Sequence, residues 1–171
     1  MAFLEKIEFV SLPDVRIIGR EVPCSLRPDA KNPVPALWEA SFTDGTIDML
    51  KKLPLVVPGC TIGWMGDVQG QDYRYIAGVI AQPDTPVPQG MQFRNLSACD
   101  VAKGYIHGNL LNSDVYVSAH TLTLEGIAAN QRQEDYSFGW GAEIYPDWLS
   151  FEAEEGTFCY YQPCKKVVMF I

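Results

Sequence analysis

Leu12–Glu21 reads LPDVRIIGRE and Leu96–Gly108 reads LSACDVAKGYIHG. Each opens on Leu, takes Pro or Ser and a short polar step, and runs into an alternating strand that contains glycine. The pattern falls once in each half of a 171-residue chain. Tandem similarity at half the chain length is the signature of an internal duplication.

Working outward, the first copy is preceded by FLEKIEFV (residues 3–10), which alternates apolar and polar as a half-buried strand does. It is followed by a proline-rich connection from Pro23 to Pro35 and then by a helix. Asn32 is placed to cap that helix, and Pro33 or Pro35 sits in its first turn, where a missing N–H costs nothing. Trp38 and Phe42, four apart, share one helix face. A second helical piece spans Thr46–Lys52. Cys60–Asp67 and Tyr73–Gln82 read as a strand pair with a turn near Gly70. PDTPVPQG (residues 83–90) then divides the chain nearly in half.

Beyond it, Gln92–Leu96 and Val101–Gly108 read as strands. Ser113–Gln133 fits both a helical stripe (Tyr116, His120, Thr123, Ile127) and strand alternation; its length and its polar tail NQRQED favour a helix. Trp140–Tyr145 and Thr157–Gln162 form a last strand pair. Both halves therefore repeat the order strand, helix, strand, strand. The expected fold is α+β: a single domain over 1–171, with a first repeat at 3–82, a linker at 83–90 and a second repeat at 91–169. The two repeats are expected to be pseudo-symmetric, forming antiparallel sheet with helices packed on it and a central cleft.

Composition bounds the function. Hydrophobic residues make up 47% and charged residues 20%, a globular balance rather than a disordered one. The formal charge is −8, from 13 Lys plus Arg against 21 Asp plus Glu, with no basic cluster. Direct nucleic-acid binding and anchoring to an anionic membrane are disfavoured. The longest apolar runs, Leu53–Cys60 and Val167–Ile171, fall far short of the roughly 20 residues of a membrane span. MAFLEKIEFV lacks the features of a signal peptide. The five cysteines are an odd number without a CxxC spacing. They read as free thiols in a reducing cytoplasm. His107 and His120 lie outside any ligand-spaced cluster, so neither a metal nor a cofactor is expected. No phosphate-binding glycine loop, HExxH or GxSxG occurs, and the repeats leave no room for a helix-turn-helix.

What is enriched is aromatic residues beside acids: Trp38–Glu39, Tyr73 and Tyr75 after Asp72, Trp140 before Glu143 and Tyr145, and Tyr160–Tyr161. A box of rings with a carboxylate suits a flat or cationic small molecule, because the rings offer stacking and cation–π attraction while the acid neutralises charge in low dielectric. For any single ring, core packing is the commoner role.

SLPDVRIIG, NPVPALWEASF, CTIGWMGD followed by YRYIAGV, VAKGYIHG and AEIY, in this order and over roughly residues 5–167, resemble the GyrI-like small-molecule-binding domain family. Its members stand alone or serve as effector-binding parts of AraC-type and MerR-type regulators. The resemblance implies two strand–helix–strand–strand repeats with a ligand cleft, lined by a helix Trp and a strand Glu. It assigns these to Trp38 and Glu143, and less firmly adds Tyr75 and Tyr105. Tyr145 shares the face of Glu143 by the two-residue strand period. Phe42 and Trp140 complete the candidate set. SFEAEEG offers Glu152 as a rival acid; the tyrosine at +2 and the distance to Pro163 favour Glu143.

The expected function is a stand-alone binder of a hydrophobic, cationic or planar molecule. Some stand-alone members of the family are implicated in hydrolysing strained, cyclopropane-containing toxins; by that resemblance the reaction would use Trp38 and Glu143, with Glu143 as a general base on water. The third reading, a gyrase-interacting inhibitor, has no support in these residues. Burial among rings would raise the Glu143 pKa. A Trp38 on a cleft wall would lose about 1 kcal/mol or less on truncation, against roughly 3–5 kcal/mol for a core Trp.

Overall fold

The computed structural model describes residues 1–170, so the last residue of the Val167–Ile171 run lies outside the described residues. Among the described residues nine strands and three helices fall into two compact units, Pro13–Ala98 and Met1–Leu12 with Cys99 onward. The architecture is α+β, with antiparallel pairing throughout.

In Pro13–Ala98 the strands are β2 (Val15–Ser25), β3 (Cys60–Gln69), β4 (Asp72–Ala81) and β5 (Gln92–Leu96), in the order β3-β4-β2-β5. β1 (Phe3–Leu12) belongs to the other unit. The β3–β4 hairpin turns at Gly70, whose φ of +63° is one that glycine adopts without strain. β2 and β4 face each other through Gly19 and Gly78. A Cβ on Gly19 would strike the Ala77 carbonyl, and one on Gly78 the Ile18 carbonyl, so these strands come closer than side chains permit. Arg94 of β5 reaches across the sheet, donating from Nε to Asp67 at 2.8 Å and pairing with Glu21.

Helix α1 (Val34–Thr43) starts where Asn32 Oδ1 accepts the Val34 N–H at 3.1 Å, with a proline in its first turn. Its successor α2 (Thr46–Leu50) begins as Asp44 accepts the Thr46 N–H at 3.0 Å. Both helices lie on the sheet face that carries Tyr75, Ala77, Val79 and Ala81. Two buried clusters result: Ile18, Ile47, Leu50, Val79 and Ala81, and beside them Cys24, Leu37, Tyr75 and Ala77. Burying such side chains contributes about 1.5–3 kcal/mol each.

The second unit orders its strands β1, then β6 (Cys99–Asn109), β9 (Glu155–Lys166) and β8 (Gly141–Pro146), with β7 (Arg132–Glu134) on the far end of β9. Helix α3 (Asp114–Ala129) buries Val115, Ala119, Thr123, Gly126 and Ile127. Its bed is flat because β6 presents Ala102, Gly104 and Gly108 there. A Cβ on Gly104 would lie 2.6 Å from Thr123 Oγ1. The strand that opens each sequence repeat pairs in the other unit, β1 with β6 and β5 with β2.

Two local expectations are corrected. The helix over 113–133 stops at Ala129, and Arg132–Glu134 turns back as β7 to pair with Cys164–Lys166. The last strand does not end before Pro163 but runs through it to Lys166. Pro163 lies between the end of the β8 ladder at Tyr161 and the start of the β7 ladder at Cys164. Its missing N–H therefore forfeits no ladder bond, while its carbonyl accepts the Asp135 N–H at 2.9 Å.

All five cysteines are free, four of them buried and Cys99 partly so. No helix among the described residues is long and apolar enough to cross a membrane.

Candidate functional site

Strand β8 sets Glu143 directly opposite Tyr160 of β9. The two-residue period puts Gly141, Glu143 and Tyr145 on one face, and Phe158, Tyr160 and Gln162 on the same face of the neighbouring strand. The packing confirms this. A Cβ on Gly141 would come within 2.5 Å of Tyr160 Oη and 3.2 Å of Gln162 Oε1. Glycine there lets the Tyr160 ring lie down across β8.

Glu143 is 8% exposed, a carboxylate set among rings. The Tyr145 hydroxyl donates a hydrogen bond to Glu143 Oε2. The Tyr145 ring packs on Phe158 at 5.2 Å and edge-on to Phe151 at 5.0 Å. Tyr116, projecting from α3, stacks on Phe158 at 5.5 Å, and its hydroxyl donates to the Leu110 carbonyl at 3.0 Å. Burial, and then the nearby charge of Glu143, push the Tyr116 phenol above its ordinary value, since both penalise a second anion there. One helical turn further, His120 meets the Tyr160 ring edge-on at 5.6 Å. Its Nδ1 is buried and has no hydrogen-bond partner.

Unit Pro13–Ala98 repeats the device without the charge. Trp38 and Phe42 stack at 5.7 Å, and the Trp38 indole N–H donates to Tyr75 Oη at 2.8 Å. Phe42 is 44% exposed, whereas Trp38 packs against both buried clusters. Gly63 lies beneath Tyr75 much as Gly141 lies beneath Tyr160: a Cβ at Gly63 would fall on the Tyr75 hydroxyl. Met65 faces Tyr75 in register as Glu143 faces Tyr160. At that position the first repeat carries a thioether and the second a carboxylate.

The structure thus brings Glu143 and Tyr145 together in one unit and Trp38, Phe42 and Tyr75 in the other. Trp140, just before β8, is buried, and its Nε1 has no hydrogen-bond partner. Tyr105 is paired in register with Cys159, the residue before Tyr160, and so lies on the sheet face opposite Glu143. Its hydroxyl donates to Glu8 at 3.1 Å, and Lys6 Nζ stands 4.3 Å above its ring. The rival acid Glu152 is exposed in the β8–β9 loop. An open groove of about 710 Å³ in Pro13–Ala98 is bordered by Lys31, Arg74, Asp67 and Asp72, whose charges balance; Tyr73 lines it, but Trp38, Phe42, Tyr75 and the other candidate site residues do not. Among the described residues no group of three His, Cys, Asp or Glu is placed to hold a metal ion.

Three members of the Glu143 group, Tyr116, Phe158 and Tyr160, and the adjoining His120 were not in the candidate set. The signal available was the helical stripe containing Tyr116 and His120, together with the alternation in TFCYYQ.

No family model matches the chain. No curated protein matches it in sequence. Solved structures do match. The structure of SAV2435 bound to tetraphenylphosphonium superposes with a TM-score of 0.71 at 11% identity, covering 94% of each chain. A protein from Staphylococcus aureus MU50, named for bacterial transcription regulation, superposes at 0.69 and 13% identity, over 94% of this chain and 98% of that one. The EcmrR C-terminal domain does so at 0.60 and 11% identity, over 95% and 98%. At such identities the likeness is one of fold: this chain shares the α+β architecture of these proteins along nearly its whole length.

Proposed function

We propose that this chain is a binding protein for a hydrophobic organic cation, with Glu143 as the anionic group that receives it. The observation that carries the reading is the buried Glu143 carboxylate framed by Tyr145, Tyr160, Phe158 and Tyr116. A carboxylate withdrawn from water attracts a cation more strongly than an exposed one does, because the effective dielectric is lower. Each ring face adds about 0.5–2 kcal/mol of cation–π attraction as it is desolvated. The fold neighbour SAV2435 holds tetraphenylphosphonium, a cation enclosed in aromatic rings, which supports the same ligand chemistry here. Trp38, Phe42 and Tyr75 form a second aromatic cluster, in which Phe42 is the exposed ring.

The test is calorimetric titration of the full chain with tetraphenylphosphonium, in the wild type and in Glu143→Gln, which keeps the shape and removes the charge. The expected result is micromolar binding that weakens tenfold or more in the variant, the loss of about 1.4 kcal/mol or more. Equal affinity in the two proteins overturns the reading. Trp38→Ala in the same titration measures what the second aromatic cluster contributes. Mass spectrometry of the equilibrated mixtures should recover the guest intact; a product whose formation stops in Glu143→Gln would move the assignment to a hydrolase.

A further inference from the structure

We propose that His120 is the specificity-determining residue of the Glu143 site, selecting cations that carry an N–H donor, protonated amines, over quaternary ones. The inference rests on the reading of Glu143 as the cation receptor and goes beyond it, because charge and rings alone do not distinguish the two classes.

The first ground is the orphaned atom. His120 Nδ1 is shut off from solvent without a hydrogen-bond partner. Leaving a buried polar atom unsatisfied is costly, and native structures retain few such atoms without a reason. The second ground is position. His120 lies edge-on to Tyr160, which stands in register opposite Glu143. Tyr116, one turn earlier on the same helix face, feels the charge of Glu143. A guest held at the carboxylate against the Tyr160 ring would have His120 at the edge of that ring. The third ground is chemistry. A neutral imidazole carries its proton on one nitrogen only. An orphaned lone pair is cheaper to bury than an orphaned N–H. The lone pair is accordingly assigned to Nδ1 and the proton to Nε2. An ammonium seated between this acceptor and the carboxylate would donate one N–H to each. A quaternary cation satisfies the charge and leaves Nδ1 orphaned.

The experiment compares 1-naphthylmethylammonium with its N,N,N-trimethyl counterpart by calorimetry on the full chain, each variant first checked for a wild-type circular dichroism spectrum. The readout is the preference, the ratio of the quaternary Kd to the ammonium Kd. His120→Phe keeps a ring and removes the acceptor. It should cut the preference about tenfold while leaving the quaternary affinity within about twofold, as loss of one hydrogen bond to a charged donor predicts. His120→Asn, whose amide oxygen can stand where Nδ1 stood, should keep it. If His120→Phe does not fold, His120→Leu makes the same comparison. An unchanged preference in the Phe or Leu variant overturns the role of His120 and leaves the Glu143 reading standing. Glu143→Gln that weakens neither cation overturns the Glu143 reading, and with it this inference.

Discussion

Tyr145 and Glu143, two residues apart on β8, are joined on one face of the strand by a hydrogen bond from the phenol to the carboxylate. A phenol that donates to a carboxylate favours its charged form. Tyr145→Phe should therefore raise the pKa of Glu143. Cation affinity falls as pH drops through the protonation of that acid, so in Tyr145→Phe the fall should begin at a higher pH than in the wild type. Tetraphenylphosphonium titrations between pH 4 and 8 decide this; superimposable pH profiles would show that the phenol does not govern the acid.

Alkaline stability follows from the thiols. Burial holds Cys99 and Cys159 protonated up to about 11, against 9.0 for an ordinary thiol. The unfolded chain loses those protons first, so between these values the native state binds more protons than the unfolded one. Stability should fall as pH rises through that window. Tyr116 acts with the same sign above the ordinary phenol range. Melting temperatures from pH 8 to 11 should decline, and Cys159→Ala should flatten the decline. A level profile would contradict the burial seen for Cys159.

Gly63 is a steric prediction. A methyl group there falls on the Tyr75 hydroxyl, so Gly63→Ala must displace a side chain that is 1% exposed and whose hydroxyl accepts the Trp38 N–H. Overpacking of this kind costs about 1–3 kcal/mol. Chemical denaturation should show that loss, accompanied by a change in Trp emission. A neutral outcome would mean that the ring has room to shift.

Trp38 itself is more deeply packed than a cleft-wall ring would be, touching both buried clusters and Tyr75. Trp38→Ala should accordingly cost about 2 kcal/mol, between the figures for a surface residue and a core Trp. A double-mutant cycle of Trp38→Phe and Tyr75→Phe should give a coupling of about 1 kcal/mol for the N–H to hydroxyl bond. Additive losses would show that the two rings are energetically independent.

The fold was legible wherever apolar residues alternate or recur at helical spacing, as in Phe3–Leu12, Cys60–Gln69 and the Trp38–Phe42 face. It was illegible where pairing overrides local preference. Arg132–Glu134 is polar and has no β-branched residue; it is a strand because Cys164–Lys166 offers it an edge. Pro163 looks like a terminator until the gap between two partner ladders is known. At the site, Glu143 and Tyr145 could be paired from the strand period alone. Tyr160 and Phe158 could not be, because the register between β8 and β9 is a tertiary fact. Alternation put Tyr105 and Ile106 on opposite faces but could not say which face meets α3. Gly104, with Thr123 against it, settles that.

The pairing of β1 with β6 has a consequence for the order in which the protein is made. Pro13–Ala98 is contiguous, so its four strands can pair with one another as soon as they leave the ribosome. β1 is synthesised before it, yet its partners run from Cys99, opposite Leu12, to His107, opposite Phe3. Throughout synthesis of the intervening chain this strand waits with both edges open, the state in which strands recruit the wrong partner. Its sequence is suited to the wait: Glu5, Lys6 and Glu8 interrupt the apolar run, and charges so placed discourage edge-to-edge association until β6 arrives.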